Sequence, residues 1–383
     1  MSAYLGPVRT AVITFPFLAL LLALPFLVVV YRRYGAFSWW RAIVIYSFVF
    51  YLLSAYFLII LPLPAREAVA QFTGAKYNLT PLMALRYFIH TTVFVPSNPH
   101  TWLAALKQSS FIQPFFNIVL TIPFGFYLRY YFKRSVPQII VMSFGLSLFF
   151  ELTQLSGLYG FYPRPYRLFD VDDLILNTTG GLVGGVLAPI LMRALPSRDT
   201  IDAKSQARGA RVTFARRLAA FLVDFVLFSQ IVGLMIKFLF HLLGLDQLPD
   251  FLSEAVLPLF FVFVIWPAFN NGQTLGKGLV RIKIVRTDGQ AVGFWRLLLR
   301  EGLLYGLAFS SLVGLNNFFI AYFAKFQRTQ INLAALGFFA VLVFLFMINF
   351  VWEVGSRHFR FFYDAWADTT QAVSYTHLTL PTI

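Results

Sequence analysis

The chain has no cysteine and only five histidines in 383 residues. The first absence excludes disulfides, thiolate nucleophiles and cysteine-ligated metals. The second, with no HExxH-type spacing among scattered histidines, leaves no zinc, haem or other cofactor signature. Charge is scarce as well: 12% of residues are Asp, Glu, Lys or Arg, against roughly a quarter in an average soluble domain. With 59% hydrophobic residues, that scarcity excludes a soluble enzyme. Acids are the scarcer sign, 16 against 31 basic residues, for a net charge of +15. On a soluble protein this excess would suggest nucleic acid. Here long apolar helices leave no free face for a duplex, so the basic charge is read as facing anionic membrane lipid.

Apolar stretches of spanning length are what the sequence does contain. A bilayer core of ~30 Å needs about 20 helical residues, and apolar segments fall at about 11–31, 42–61, 109–132, 136–157, 174–194, 217–243, 255–270, 298–323 and 332–354. The first is too long for a signal-peptide core and lacks a basic flank, so it reads as a spanning helix. The seventh is short and carries Pro258 and Pro267, which predicts a kinked or re-entrant segment. Basic residues concentrate in cytoplasmic loops. With the N-terminus outside, 21 of the 31 fall on the cytoplasmic side, from Arg32 and Arg33 to Arg357 and Arg360. The expectation is an all-α polytopic membrane protein of about nine transmembrane helices, N-terminus out and C-terminus in, in a five-helix plus four-helix arrangement. The polar, basic stretch 196–211 reads as a cytoplasmic linker between the two groups. No internal repeat relates them, against a transporter built from repeated halves.

Ionisable groups inside spans are costly and mark candidate sites. Glu151 and Gln154 lie three apart on the fourth span, Asp173 and Asn177 four apart at the start of the fifth, each pair on one helix face. Arg164, Arg167, Asp170 and Asp172 sit in the connection between them, and Asn117 lies on the third span. In the threading above, all of them converge at the external leaflet, with Glu151 about 10 Å below the surface at ~1.5 Å per residue. Two readings stand. The groups form an outward polar ligand pocket, with Glu151 and Asp173 as candidate acid and base. Otherwise they satisfy one another, Asp173 capping the fifth helix and Arg164 or Arg167 pairing with Glu151. The three aspartates lack the later bidentate Glu and the Gly of a calcium loop, so no metal is assigned. In the preceding outer loop, Asn78-Leu-Thr-Pro81 reads as a helix start, with Leu82, Leu85, Tyr87 and Phe88 at the membrane interface.

The ordered set N-x5-PFG from Asn117, E-x-x-Q from Glu151, R-x-x-D-x-D-D-x3-N-x2-G from Arg167 and NLTP from Asn78 resembles the VanZ-like membrane family over about 75–190. The resemblance implies a bacterial envelope role at the plasma membrane. Family members are linked to resistance against teicoplanin-type glycopeptides, and the implied ligand is a glycopeptide or a lipid-linked cell-wall precursor.

Further on, Arg217 and Asp224 lie seven apart on one helix face. Gly272-Gln-Thr-Leu-Gly-Lys277 is no phosphate loop: it has three residues between its glycines and Gly278 after the lysine. The stretch 281–292 alternates basic and apolar residues around Asp288-Gly289, which predicts a small cytoplasmic β-hairpin whose basic face meets headgroups. Arg217-Leu-Ala-x3-Val-Asp224, GQTLGK, Arg300-Glu301 and Asp364-x4-Thr369 resemble the RDD membrane family over about 212–373. Gly278 stands where many relatives carry another basic residue. The resemblance implies that Arg217, Asp224 and Asp364 form either an ion site of a cation, proton or small-solute transporter or a charge cluster pinning three helices. The expected organisation is a transmembrane helix at 1–36, a VanZ-like domain at 37–195, the linker at 196–211, an RDD-like domain at 212–373 and a non-native tail at 374–383.

Overall fold

The computed structural model describes residues 2–245, 247, 249–326, 328–356 and 360–374, with side chains from Leu5 onward. Arg357, counted above among the cytoplasmic charges, and all of the supposed tail except Ser374 lie outside the described residues. Among the described residues nine helices are long and apolar enough to cross a membrane. They are Leu5–Tyr34, Trp39–Ile60, Ser109–Tyr130, Val136–Leu155, Val171–Ala194, Phe214–Leu242, Leu252–Phe269, Phe294–Ala324 and Gln330–Ser356, here the first to ninth spans. The chain divides into two units, one holding the residues up to Leu21 with Ser38–Ala203, the other Leu22–Phe37 with Lys204 onward. The last turns of the first span therefore count with the second unit: Tyr31 packs there with Ala219, Ala220, Val280 and Ile282.

In the first unit the third, fourth and fifth spans pack closely because the fifth offers glycine where it crosses its neighbours. A Cβ on Gly180 would lie 2.0 Å from the Ile118 carbonyl oxygen, one on Gly184 2.0 Å from that of Ile122, and one on Gly181 2.0 Å from Ser143 Oγ. Without a hydrophobic drive between helices in lipid, such close backbone approach is what holds them together. The second span adds rings and hydroxyls: Tyr51 donates to the Leu120 carbonyl at 2.8 Å, and Tyr127 to Ser47 Oγ at 2.9 Å. The loop between the second and third spans holds short helices at Arg66–Ala70, Met83–Thr91 and His100–Leu106.

The 196–211 stretch holds a helix, Arg198–Gly209. Ser197 Oγ accepts the Thr200 amide at 3.2 Å, an N-cap in the Ser-x-x-Thr string, and Asp202 takes buried Arg41 at 2.5 Å. Asn78 does not start a helix. Tyr77–Asn78 (β1) pairs in parallel with Phe169–Asp170 (β2), and the helix begins at Met83 after Leu82 with φ +62°.

In the second unit wide π-helical turns interrupt the spans at Asp224–Phe228, Leu252–Val256, Phe261–Ile265, Gly302–Phe309 and Ile320–Ala324. The seventh span keeps its 18 residues through two of them. The hairpin is corrected in part. Ile282–Arg286 (β3) turns at Asp288-Gly289 and Val285 bridges Ala291, but the main antiparallel partner is Thr369–Val373 (β4). The eighth span starts at Phe294, so too few residues follow the turn for a full return strand. The partner comes from the far end of the domain instead, and the Ser374 amide extends the pairing to the Arg281 carbonyl at 3.0 Å.

Candidate functional site

The polar groups of the first unit gather where the fifth span begins. Asp170 is its N-cap, accepting the Asp172 amide at 2.9 Å and the Asn78 side-chain amide at 3.1 Å. Asp173 therefore does not cap the helix as expected. It accepts from Asn117 Nδ2 of the third span at 2.5 Å. Asp172 points the other way and binds the amides of Leu82 at 2.5 Å and Ala84 at 2.6 Å, fixing the entry to the helix Met83–Thr91. The start of the fifth span thus sends three carboxylates to three different sets of partners.

Glu151, 2% exposed, accepts the Asp170 amide at 2.9 Å. Its expected arginine partners lie elsewhere: Arg164 donates to the Gly74 carbonyl at 2.7 Å and Arg167 to that of Leu61 at 3.0 Å. Both guanidiniums latch the long loop, as does Tyr162 through the Pro64 carbonyl at 2.8 Å. Gln154 likewise donates to a main-chain carbonyl, that of Ile59, at 3.2 Å. Asn177 donates to Ser147 Oγ at 3.0 Å, Ser147 donates to the Asp173 carbonyl at 3.2 Å, and Thr121 to the Asn177 carbonyl at 2.7 Å. Asn177 Oδ1 is buried without a partner. Beside this cluster an apolar cavity of about 330 Å³ lies between the helix Met83–Thr91 and the third span, lined by Leu85, Phe88, Phe111, Phe115 and Ile118. Of the sequence-predicted pocket residues, Asp172 is the one that lines it.

The second unit has its own buried charges. Asp364 takes Arg217 Nη1 at 3.0 Å and Arg300 Nε at 2.8 Å, and Arg300 also bonds Glu301. All four side chains are at least nine-tenths buried. Asp224, on the same helix face as Arg217, has other partners. It accepts Thr274 Oγ1 at 2.5 Å and the Gly276 amide at 2.7 Å. The GQTLGK string is the cradle for that carboxylate. Thr274 caps the helix Leu275–Leu279, and a Cβ on Gly276 would meet the Ala220 carbonyl oxygen at 2.3 Å. Lys277 is buried there, and burial pulls its pKa below the ordinary lysine value, with Asp224 and Glu301 opposing. Among the described residues no three His, Asp or Glu side chains are grouped as metal ligands.

The VanZ/LLP1 family matches residues 48–192, and the RDD family matches residues 211–368. The chain joins a VanZ-like domain to an RDD domain. No curated protein and no solved structure matches it. Within the VanZ-like domain the structure brings together Asn117 with Asp173 and Glu151 with Asp170, sets Asp172 on the loop, and leaves Gln154, Arg164 and Arg167 holding main chain. Ser147, Thr121 and Asn78 complete the network. Ser147 stands four residues before Glu151 on the same helix face, a spacing that could have flagged it. Within the RDD domain Arg217 and Asp364 meet, Asp224 stands apart, and Arg300, Glu301, Thr274 and Lys277 belong to the charge network. Their residue types inside or beside spans were the available signal.

Proposed function

We propose that the VanZ-like domain holds a lipid-linked ligand of the bacterial cell envelope at the outer face of the plasma membrane. In this reading the apolar chain lies in the cavity lined by Phe88, Phe111 and Phe115, and the polar part faces the carboxylates at the start of the fifth span. The observation that carries it is the junction of the two chemistries at Asp172, an acidic residue among the otherwise mostly apolar walls of a 330 Å³ cavity. Pockets for amphiphiles combine such an apolar wall with a few fixed polar groups. The surroundings support it. Leu85, Tyr87 and Ile89 on the helix Met83–Thr91 are 51–62% exposed, as suits a helix lying in the membrane interface. The distribution of basic residues supports the outward orientation. Carboxylates draw the hydroxyl, amide and ammonium donors of a glycan-peptide headgroup or of a glycopeptide. The reading assigns binding and no bond-breaking step.

The experiment expresses the full chain and its Asp172→Asn and Phe88→Ala variants at matched membrane levels in a sensitive bacterium and measures teicoplanin susceptibility. Protection by the wild type and its loss in both variants is the expected result. Undiminished protection in both variants overturns the proposal.

A further inference from the structure

The RDD domain contains a second cavity, of about 200 Å³, whose walls include Arg217, Lys277, Arg300 and Glu301. Three cations and one carboxylate face it. The other two acids of the network, Asp224 and Asp364, are absent from its lining. Arg300 is committed, with Nε on Asp364 and Nη1 on Glu301. Two other donors on the wall are not. Arg217 gives one terminal nitrogen to Asp364, while its Nε is buried with no hydrogen-bond partner on a side chain only 9% exposed. The Tyr305 hydroxyl, also on the wall, is buried and unpartnered. Lys277 is 6% exposed, with the face of Phe263 5.5 Å from its ammonium and the carboxylates of Asp224 and Glu301 acting on its charge. Buried donors of this kind are costly unless something accepts from them. One unpartnered acceptor, Gln371 Oε1, is also on the wall.

The cavity does not end at the charges. A groove of about 260 Å³ shares Phe214, Leu304, Phe309, Phe361 and Tyr363 with it. The groove runs between the eighth and ninth spans past Leu312, Val343 and Met347, and no charged side chain lines it. An unpartnered guanidinium nitrogen and an unpartnered hydroxyl thus lie beside an apolar groove between membrane helices.

We propose that this cavity and its groove bind an anionic phospholipid with a hydroxylated headgroup. Arg217, Lys277 and Tyr305 donate to the phosphate, Gln371 accepts from a headgroup hydroxyl, and an acyl chain lies along the eighth and ninth spans. A phosphodiester matches the donors better than a carboxylate does, because its several oxygens accept from three directions at once. A free phosphate leaves the groove unfilled. The π-helical turn Gly302–Phe309 supplies Leu304, Tyr305 and Phe309 to these walls, and such turns recur at binding sites because they displace side chains from the ordinary helical stripe.

The test uses the purified, delipidated full chain in a neutral detergent. Thermal unfolding is followed while phosphatidylglycerol, phosphatidylcholine, oleate or inorganic phosphate is titrated, for the wild type and for Lys277→Met and Tyr305→Phe. Phosphatidylglycerol is expected to raise the Tm at concentrations about tenfold below those at which the other three act, as one or two charge-assisted hydrogen bonds allow. Each variant raises its half-saturating concentration severalfold. Tyr305→Phe removes one hydroxyl and keeps the ring, so it reports even if Lys277→Met fails to fold. Equal protection by phosphatidylcholine removes the charge argument, equal protection by oleate transfers the site to carboxylates, and equal protection by inorganic phosphate removes the chain. Any of these, or a Tyr305→Phe protein that responds like the wild type, overturns the proposal.

Discussion

Asp172 and Arg300 illustrate how single side chains hold this protein's polar architecture. The Asp172 carboxylate accepts two amides of the loop, Leu82 and Ala84. Asn at that position offers one acceptor oxygen and turns an NH2 toward the second amide, so Asp172→Asn is expected to release the 79–84 segment. Limited proteolysis or amide exchange there should rise severalfold while the spans keep their protection. Arg300 grips Asp364 and Glu301 with different nitrogens, a fork that lysine lacks. Arg300→Lys keeps the charge but loses one charge-assisted hydrogen bond, so it is expected to lower stability by about 1.5–3 kcal/mol, read as a fall in Tm. At this scale the sequence was half legible. That Asp170, Asp172, Asp173 and Glu151 belong to one cluster followed from their cost in a membrane. Their partners did not, because a shift of one residue in where a helix starts redirects every side chain of its first turn. In one of the two sequence readings Arg164 or Arg167 pairs with Glu151; both instead donate to main-chain carbonyls of the long loop, acceptors that residue types do not reveal.

Among the elements, the fifth span owes its position to glycine. Gly184→Ala places a methyl 2.0 Å from the Ile122 carbonyl oxygen, which neither backbone can yield without moving. A loss of about 1–3 kcal/mol is expected, against a neutral or slightly stabilising Gly145→Ala, where nothing lies within 4 Å. Parallel thermal melts of the two variants check this. The β3–β4 pair carries a pH signature. The Thr287 hydroxyl donates to Asp368 and holds its carboxyl below the ordinary aspartate value. A depressed folded pKa stabilises the pair above the unfolded value of about 3.9, and that contribution is lost as the pH falls through the folded one. The protection factor of the Thr370 amide, in β4 opposite Val285, should therefore fall on acidification in the wild type, and Asp368→Asn should flatten that dependence. The spans were legible in the sequence because length and hydropathy are local properties. Strand pairing was not: β3 meets β4 from about 85 residues further on, and an alternating pattern with a turn names a strand without naming its partner. The helix Arg198–Gly209 was missed for a related reason. It has little apolar periodicity, and its cap and its pairing to Arg41 are visible only once folded.

At the scale of the whole molecule, two membrane domains of different families share one chain, and each concentrates its polar groups near the ends of its spans. The lack of cysteine makes the orientation of these ends measurable without altering the native residues first. Central to the proposed function is that the polar site of the VanZ-like domain opens outward. Phe161→Cys places a thiol in the exposed turn between the fourth and fifth spans, and Asp288→Cys places one at the exposed turn after β3. Each single-cysteine protein is treated in intact cells with a membrane-impermeant maleimide, then again after permeabilisation. The account predicts labelling of Cys introduced at 161 in intact cells and of Cys introduced at 288 only after permeabilisation; the reverse pattern would contradict it.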